Sequence, residues 1–454
     1  MTNIPDNIKL LSGCEIGNKL LKQEICPVEL INYYLDNIIN YKNLSPFIEV
    51  FKTEAIKNAE KSKERIKNGN PLSLWDGVPI AWKDLFDISG YKTIGGSKLL
   101  KNSAIALKDA VTVSRSKQKG LIPIGKTRTV EFALGGLGTN KHFGTPINTI
   151  MNDVPRVPGG SSSGSATALA RDMCAASVGT DTGGSVRIPA AWNKLVGLKT
   201  SYGHLSTKGV LPLAKSLDTV GPLVKSVEDA HFLYSILSGK SEKNSKDFIA
   251  HNSKIIVSRG MPFSSLDHEV DNLTEFIISK LSSAGINITE EIIPEIEEMY
   301  DILNEYGTIV TAEAWNQWKH LIIGNKDQVD NNVLNRMLKG KDMPAIYIKK
   351  IKAKQKVLSK RLYEKLSQYD VMLMPTTPIL PPKISDVEYN QHAYNKYNTL
   401  ALRNTSIGNI LPMCAITLPH YKNNLPIGIM LYKPIGEDYS LLKVAKEYNK
   451  IINS

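Results

Sequence analysis

Pro158-Gly159-Gly160-Ser161-Ser162-Ser163-Gly164-Ser165-Ala166 and, after a short interval, Gly179-Thr180-Asp181-Thr182-Gly183-Gly184-Ser185-Val186-Arg187-Ile188-Pro189-Ala190-Ala191 are the stretches on which the reading of this chain turns. Alone, the first would be a flexible Gly/Ser tether. It runs straight into Ala166-Thr167-Ala168-Leu169-Ala170, a compact helix start, and the apolar run Met173 to Val178 then leads into the second turn. Two Gly/Ser turns bracketing a short helix and a short strand describe a built site.

Outward from this segment, residues 105–240 alternate helical patterns with short apolar runs such as Leu121 to Ile124. That alternation predicts an α/β architecture around a mixed sheet. The first seventy residues read as helices, one beginning at Pro27 with apolar residues at helical spacing and one over 51–69 that breaks at Asn68-Gly69-Asn70-Pro71. Residues 239–252 are polar and read as a linker or surface loop. A second α/β-like region opens at Lys254-Ile255-Ile256-Val257, residues 295–368 read as mainly helical, and strands return at Val371 to Met374 and Ala415 to Leu418 before a helix near 438–452. The pattern predicts one domain over 1–454: N-terminal helices over 1–70, a core over 71–240, a variable and mainly helical region over 241–368, and a return to the sheet over 369–454.

Composition narrows the function classes. A chain of 454 residues with 42% hydrophobic and 22% charged residues is neither a peptide hormone nor a disordered or fibrous chain. No stretch approaches the ~18 apolar residues of a membrane-spanning helix, and the start MTNIPDNIKLL lacks a basic-then-apolar leader. The expectation is a cytoplasmic protein with no membrane partner. Cys14, Cys26, Cys174 and Cys414 are widely spaced with no C-x-x-C, so neither a disulfide framework nor a metal site is expected. The net charge of +12 would suit a nucleic-acid partner, but only ten of the 56 basic residues are arginine and they form no aromatic-spaced basic motif, so the charge reads as compositional.

Two motifs compete for the chemistry. Gly120-Leu121-Ile122-Pro123-Ile124-Gly125-Lys126-Thr127 matches the phosphate-loop pattern letter for letter, yet its middle reads as a strand and Pro123 removes a donor that the loop needs. Gly160-Ser161-Ser162-Ser163-Gly164 matches the nucleophile elbow of α/β-hydrolase esterases, with Ser162 as nucleophile and Asp370 with His392 or His420 as partners. The residues before it carry two prolines and no strand-like run, which leaves this a remote alternative.

The two serine turns resemble the amidase signature family. Gly77-Val78-Pro79-Ile80-Ala81-Trp82-Lys83-Asp84 looks like the family's lysine segment, and Gly125-Lys126-Thr127 with Glu131-Phe132 like its next block. Val196 to Thr200, Ser216 to Pro222, Met374-Pro375-Thr376 and Leu425 to Gly428 resemble further blocks. The resemblance covers roughly residues 10–450 and is weakest over about 245–365. It implies a mixed, twisted β-sheet core with helices on both faces and no cofactor.

The resemblance further implies Ser185 as nucleophile, Ser161 as a bridging serine in a cis peptide, and Lys83 as the base; the 24-residue separation of the serines matches the family. Serine needs a base to become a nucleophile, and no histidine lies in either turn. A lysine can serve when burial without a carboxylate favours its neutral form. Taken alone, Lys83 would read as a surface lysine paired with Asp84. The amides of Thr182, Gly183, Gly184 and Ser185 would converge on the oxyanion, and Asp181 reads as a hydrogen-bonder of the turn. Loop residues Gly135, Gly136 and His142, the span Tyr306 to Trp318 and the turn after Pro375 are candidate substrate contacts, although any one of them alone reads first as loop or core packing.

The implied activity is hydrolysis of a small-molecule carboxylic amide, releasing ammonia or amine. The alternative is the glutaminase component of a tRNA-dependent amidotransferase, its A subunit, which passes ammonia to tRNA within a complex. Ser163, where that component usually has glycine, and Arg403 to Asn409 favour the hydrolase. A homodimer or a small helper subunit is compatible with either reading.

Overall fold

The computed structural model describes residues 4–5, 7–151, 153–240, 247–422 and 424–454. Its eleven strands are β1 (Phe47–Val50), β2 (Pro79–Lys83), β3 (Ile122–Thr127), β4 (Ala176–Asp181), β5 (Val196–Lys199), β6 (Thr219–Val224), β7 (Lys254–Arg259), β8 (Asn287–Ile292), β9 (Val371–Pro375), β10 (Met413–Lys422) and β11 (Leu425–Pro434). All join one sheet in the order β1-β3-β2-β4-β6-β5-β10-β11-β9-β7-β8. It is mixed: β2 runs parallel to β3 and β4, β7 parallel to β8 and β9, and the other pairs are antiparallel.

Helices cover both faces, and the two-residue period of a strand sorts the side chains between them. Ile255, Val257, Leu373, Ile416, Ile429 and Leu431 enter one core cluster. Their strand neighbours Ile256, Met372, Met374, Ala415, Met430 and Tyr432 enter the other. The mainly helical region is built from Pro294–Tyr306, Ile309–Ile322, Asn331–Lys341 and Ala345–Leu366. Among the described residues no helix is long and apolar enough to cross a membrane.

Several boundaries differ from the sequence reading. The first seventy residues are not helical throughout, because Phe47–Val50 pairs antiparallel with β3 at the sheet edge. Four residues between two helices are too short to establish a period. The run predicted from Met173 enters the sheet only at Ala176 and continues through Gly179-Thr180-Asp181. Glycine is required in that strand, since a Cβ on Gly179 would stand 2.3 Å from Ser162 Oγ. Of the predicted 239–252 loop, residues 241–246 lie outside the described residues and 247–250 carry no regular structure.

A long-range cap holds the N-terminal helix Gly13–Leu21 to the rest of the molecule. The buried Asp229 carboxylate accepts from Gly13 N (2.9 Å) and Cys14 N (2.8 Å), two of the donors that a helix start leaves free. Replacing Asp229 with Ala strands both amides, at about 1–3 kcal/mol for each buried unpaired group. The expected outcome is a melting temperature lower by several degrees, with Asp229→Asn losing less, measured by differential scanning calorimetry.

Candidate active site

β2 ends on Lys83, whose side chain is fully buried. Its Nζ donates to Ser161 Oγ (2.8 Å) and Thr180 Oγ1 (2.8 Å). Asp84 does not pair with it. That carboxylate instead meets the buried Lys126 Nζ at 3.0 Å, and Lys126 also donates to Lys92 O and Thr93 Oγ1. Ile122–Thr127 of the phosphate-loop match therefore form β3, with their lysine sealed in a structural pair. Burial pushes the Lys83 ammonium down to about 7, although the more distant Asp181 and Asp218 charges pull it upward.

Ser161 follows Gly160 through a cis peptide. Its carbonyl accepts from Thr129 Oγ1 (2.9 Å) and Val130 N (3.3 Å), and the amide of Gly160 donates to Gly136 O (2.7 Å). Ser162 N donates to Ser185 O (3.2 Å), which clasps the two serine turns together. Ser162 Oγ is buried against Thr180 O at 3.4 Å. Among the described residues no strand runs into it and no histidine bonds it, so the geometry of a nucleophile elbow is missing there.

The second turn leaves β4 at Asp181. This fully buried carboxylate accepts from Gly184 N (2.8 Å), Val186 N (3.1 Å), Arg187 Nε and Nη2 (3.0 and 2.9 Å) and Asn409 Nδ2 (3.0 Å). Burial alone would raise its pKa, but the Arg187 guanidinium outweighs that and holds the carboxyl well below the usual range. Arg187 is itself fully buried and reaches Tyr432 Oη (2.9 Å) and Asn409 Oδ1 (2.6 Å). The turn is thereby bolted to β11 and to the helix Gln391–Ile410.

This bracing decides which amides are free. Gly184 N–H is occupied by Asp181, so Gly184 is not an available oxyanion donor. Its part is conformational: φ is +133°, and a Cβ would stand 2.1 Å from Thr405 Oγ1. The amides of Thr182, Gly183 and Ser185 have no acceptor among the described residues. Thr182 Oγ1 donates to Asp218 Oδ1 (2.6 Å), and burial pushes that carboxyl up to about 6.

Thr182, Gly183 and Ser185 line a cavity of about 430 Å³. Lys83 and Ser161 are not among its lining residues. Of the candidate substrate contacts, Gly135 lines it, and the span from Tyr306 contributes Thr308, Val310 and Thr311. Gly136 does not, although its amide donates to Oδ1 of the cavity residue Asn398 (2.8 Å). His142 does not either: its Nε2 lies 3.3 Å from the buried Glu131. No residue of the turn after Pro375 reaches the cavity. Sequence reasoning assigned no role to Thr180 or Asp218, both of which sit inside quoted motifs. Among the described residues no cluster of three or more His, Cys, Asp or Glu could hold a metal ion.

The chain is similar to known proteins over nearly its whole length. The sequence model of the Amidase family matches residues 29–442. The chain is 29% identical over 447 residues to a 2-amino-5-chloromuconic acid deaminase of Comamonas testosteroni, covering 97% of this chain and 96% of that protein. It is 31% identical over 448 residues to the A subunit of a glutamyl-tRNA(Gln) amidotransferase of Sulfurisphaera tokodaii, covering 91% and 92%. A solved amidase structure superposes with a TM-score of 0.87 at 27% identity, covering 98% of this chain and 100% of that one.

Removing one partner of the Asp181–Arg187 pair leaves the other as an uncompensated buried charge. Arg187→Met is expected to destabilise by about 3–5 kcal/mol. Asp181→Leu combined with Arg187→Met should cost clearly less than the sum of the single changes. Chemical denaturation of the three variants checks this, and additive losses would contradict it.

Proposed function

The chain belongs to the amidase family and hydrolyses amide C–N bonds, and from that premise we propose that it cleaves a small-molecule carboxylic amide through an acyl-enzyme on Ser185, with Ser161 and Lys83 relaying the proton. One observation carries this reading: a fully buried lysine whose hydrogen-bond partners are two hydroxyls and no carboxylate. An ammonium so placed loses its proton near neutrality, the state a general base needs.

In the proposed sequence, Ser185 Oγ attacks the amide carbonyl while its proton passes to Ser161 Oγ and the Ser161 proton passes to Lys83 Nζ. The tetrahedral oxyanion is met by the amides of Thr182, Gly183 and Ser185. The proton returns by the same relay to the departing nitrogen, which leaves as ammonia or amine. Water, deprotonated along the same path, then attacks the ester on Ser185 and releases the carboxylic acid. We place the protein in the cytoplasm, acting alone, as a homodimer or with a small helper subunit.

The likeness to a glutamyl-tRNA(Gln) amidotransferase component supports a second reading, a glutaminase working within a complex on tRNA. Ammonia release from an amide panel by the purified chain separates the two. Turnover without any partner carries the first reading, and turnover of glutamine that requires added partner proteins and tRNA carries the second.

Ser185→Ala and Lys83→Ala are each expected to lower kcat/KM at least about a thousandfold. Ser162→Ala should stay within about tenfold, and an inverted result would move the nucleophile to Ser162. The Lys83 value also fixes a pH dependence. The protonated amine cannot accept a proton, so kcat/KM should fall about tenfold per unit below pH 6 and level off above pH 8, with a midpoint near 7. A profile flat from pH 5 to 9 would remove Lys83 from the base role.

A further inference from the structure

The charge lining the cavity is lopsided. Arg336, Lys339 and Arg403 reach it, and among the described residues no aspartate, glutamate or histidine does. The cations come from two helices. Asn331–Lys341 presents Arg336 and Lys339 one turn apart, and Gln391–Ile410 presents Asn395, Asn398, Leu402, Arg403 and Ser406 along one face.

Both guanidiniums are held by neutral acceptors alone. Arg336 Nη1 donates to Leu134 O and Asn398 Oδ1, each at 3.3 Å, and its Nε and Nη2 have no partner among the described residues. Arg403 donates to Asn404 Oδ1 (3.1 Å), Ser264 Oγ (3.0 Å) and Pro262 O (3.2 Å). Desolvation lowers the pKa of each, with only a tyrosine on the opposing side of the balance. Burying a cation without its counterion is costly. Arg336 and Arg403 are half-buried on the cavity wall without a carboxylate partner among the described residues, so an anionic ligand that displaces the remaining water would supply the missing counterion. Leu134, Leu213, Met261, Leu303 and Leu402 make much of the remaining wall apolar.

We propose that the cavity selects an amide whose far end is a carboxylate, drawn by Arg336 and Arg403, with an uncharged apolar spacer between the two ends, and that it rejects amides bearing a free ammonium. The inference deepens the amide-hydrolase reading and rests on it for the identity of the reacting end. An α-ammonium such as that of glutamine would find two guanidiniums and no carboxylate. A carboxylate-terminated chain would satisfy idle donors through charge-assisted hydrogen bonds, which are shorter and stronger than neutral ones.

Binding and turnover test it separately. By titration calorimetry on the Ser185→Ala protein, adipate is expected to bind at least about 30-fold more tightly than hexanamide, and glutamine no better than hexanamide. In Arg336→Gln/Arg403→Gln on the same background, checked for an unchanged circular dichroism spectrum, the preference should fall to about threefold or less. Arg336→Lys/Arg403→Lys should restore part of it. Equal binding of adipate and hexanamide, a preference that survives the double Gln change, or glutamine binding as tightly as adipate overturns the inference. Turnover of adipic acid monoamide by the unmodified protein then reads the parent proposal. Selective binding without cleavage keeps the anion site and removes the hydrolase reading, whereas hexanamide cleaved as efficiently as the monoamide keeps the hydrolase and removes the anion site.

Discussion

The ion pair between Asp181 and Arg187 is the constraint to which the rest of the site refers. Both side chains are withdrawn from water, so each depends on the other and on further partners to offset its lost hydration. Those partners come from far along the chain: Asn409 on one helix and Tyr432 on β11. Their convergence fixes the exit of β4, and with it the backbone on which Ser185 sits. Because the carboxylate is spent on two amides and a guanidinium, it is shut out of direct contact with Lys83. A turn held less firmly would leave a free carboxylate beside a buried amine, and that amine would remain charged.

The second constraint is the separation of Lys83 from its sequence neighbour. Lys126 draws Asp84 away, so the two adjacent residues end in different polar clusters. Three basic side chains in this part of the core therefore meet different fates: Lys126 and Arg187 face carboxylates, whereas Lys83 faces hydroxyls. Burial among hydroxyls weakens the hold of Lys83 on its proton near neutrality. The same logic of counting opposite charges separates the polar interior from the cavity wall, where Arg336 and Arg403 have no carboxylate partner among the described residues.

Much of this was legible in the sequence because it is written locally. Glycine-rich turns flanking a helix start and an apolar run mark 158–191 as a site without reference to anything distant, and alternating patterns announced a mixed sheet. What was not legible arises where remote segments meet. β1 is a four-residue strand whose identity depends on pairing with β3. The unavailability of the Gly184 amide follows from how Asp181 is turned, which no spacing reveals. Gly136 and His142 were candidate contacts, yet neither lines the cavity, and their partners are Asn398 and Glu131. Arg336 lies in the least recognisable part of the chain, and only the structure puts it on one wall with Arg403, which the sequence offered as part of a family-like block. Thr180 reads as one more small polar residue of a turn until Lys83 is found beside it.

The place of β10 and β11 in the sheet bears on how such a molecule comes into being. This hairpin, Met413–Pro434, stands between β5 on one side and β9 on the other. Strands β1 to β6 and strands β7 to β9 are thus two half-sheets with raw edges until the hairpin zips between them. A chain emerging from the ribosome exposes the serine turns long before it has made Asn409 and Tyr432, the residues that brace the second one. Chains fold domain by domain and expose unpaired edges while incomplete. The contacts of Asp181 with Gly184, Val186 and Arg187 are local, whereas those that Asn409 and Tyr432 make with Arg187 wait for the C-terminal part of the chain, so a truncated chain would hold the second turn by its local contacts alone.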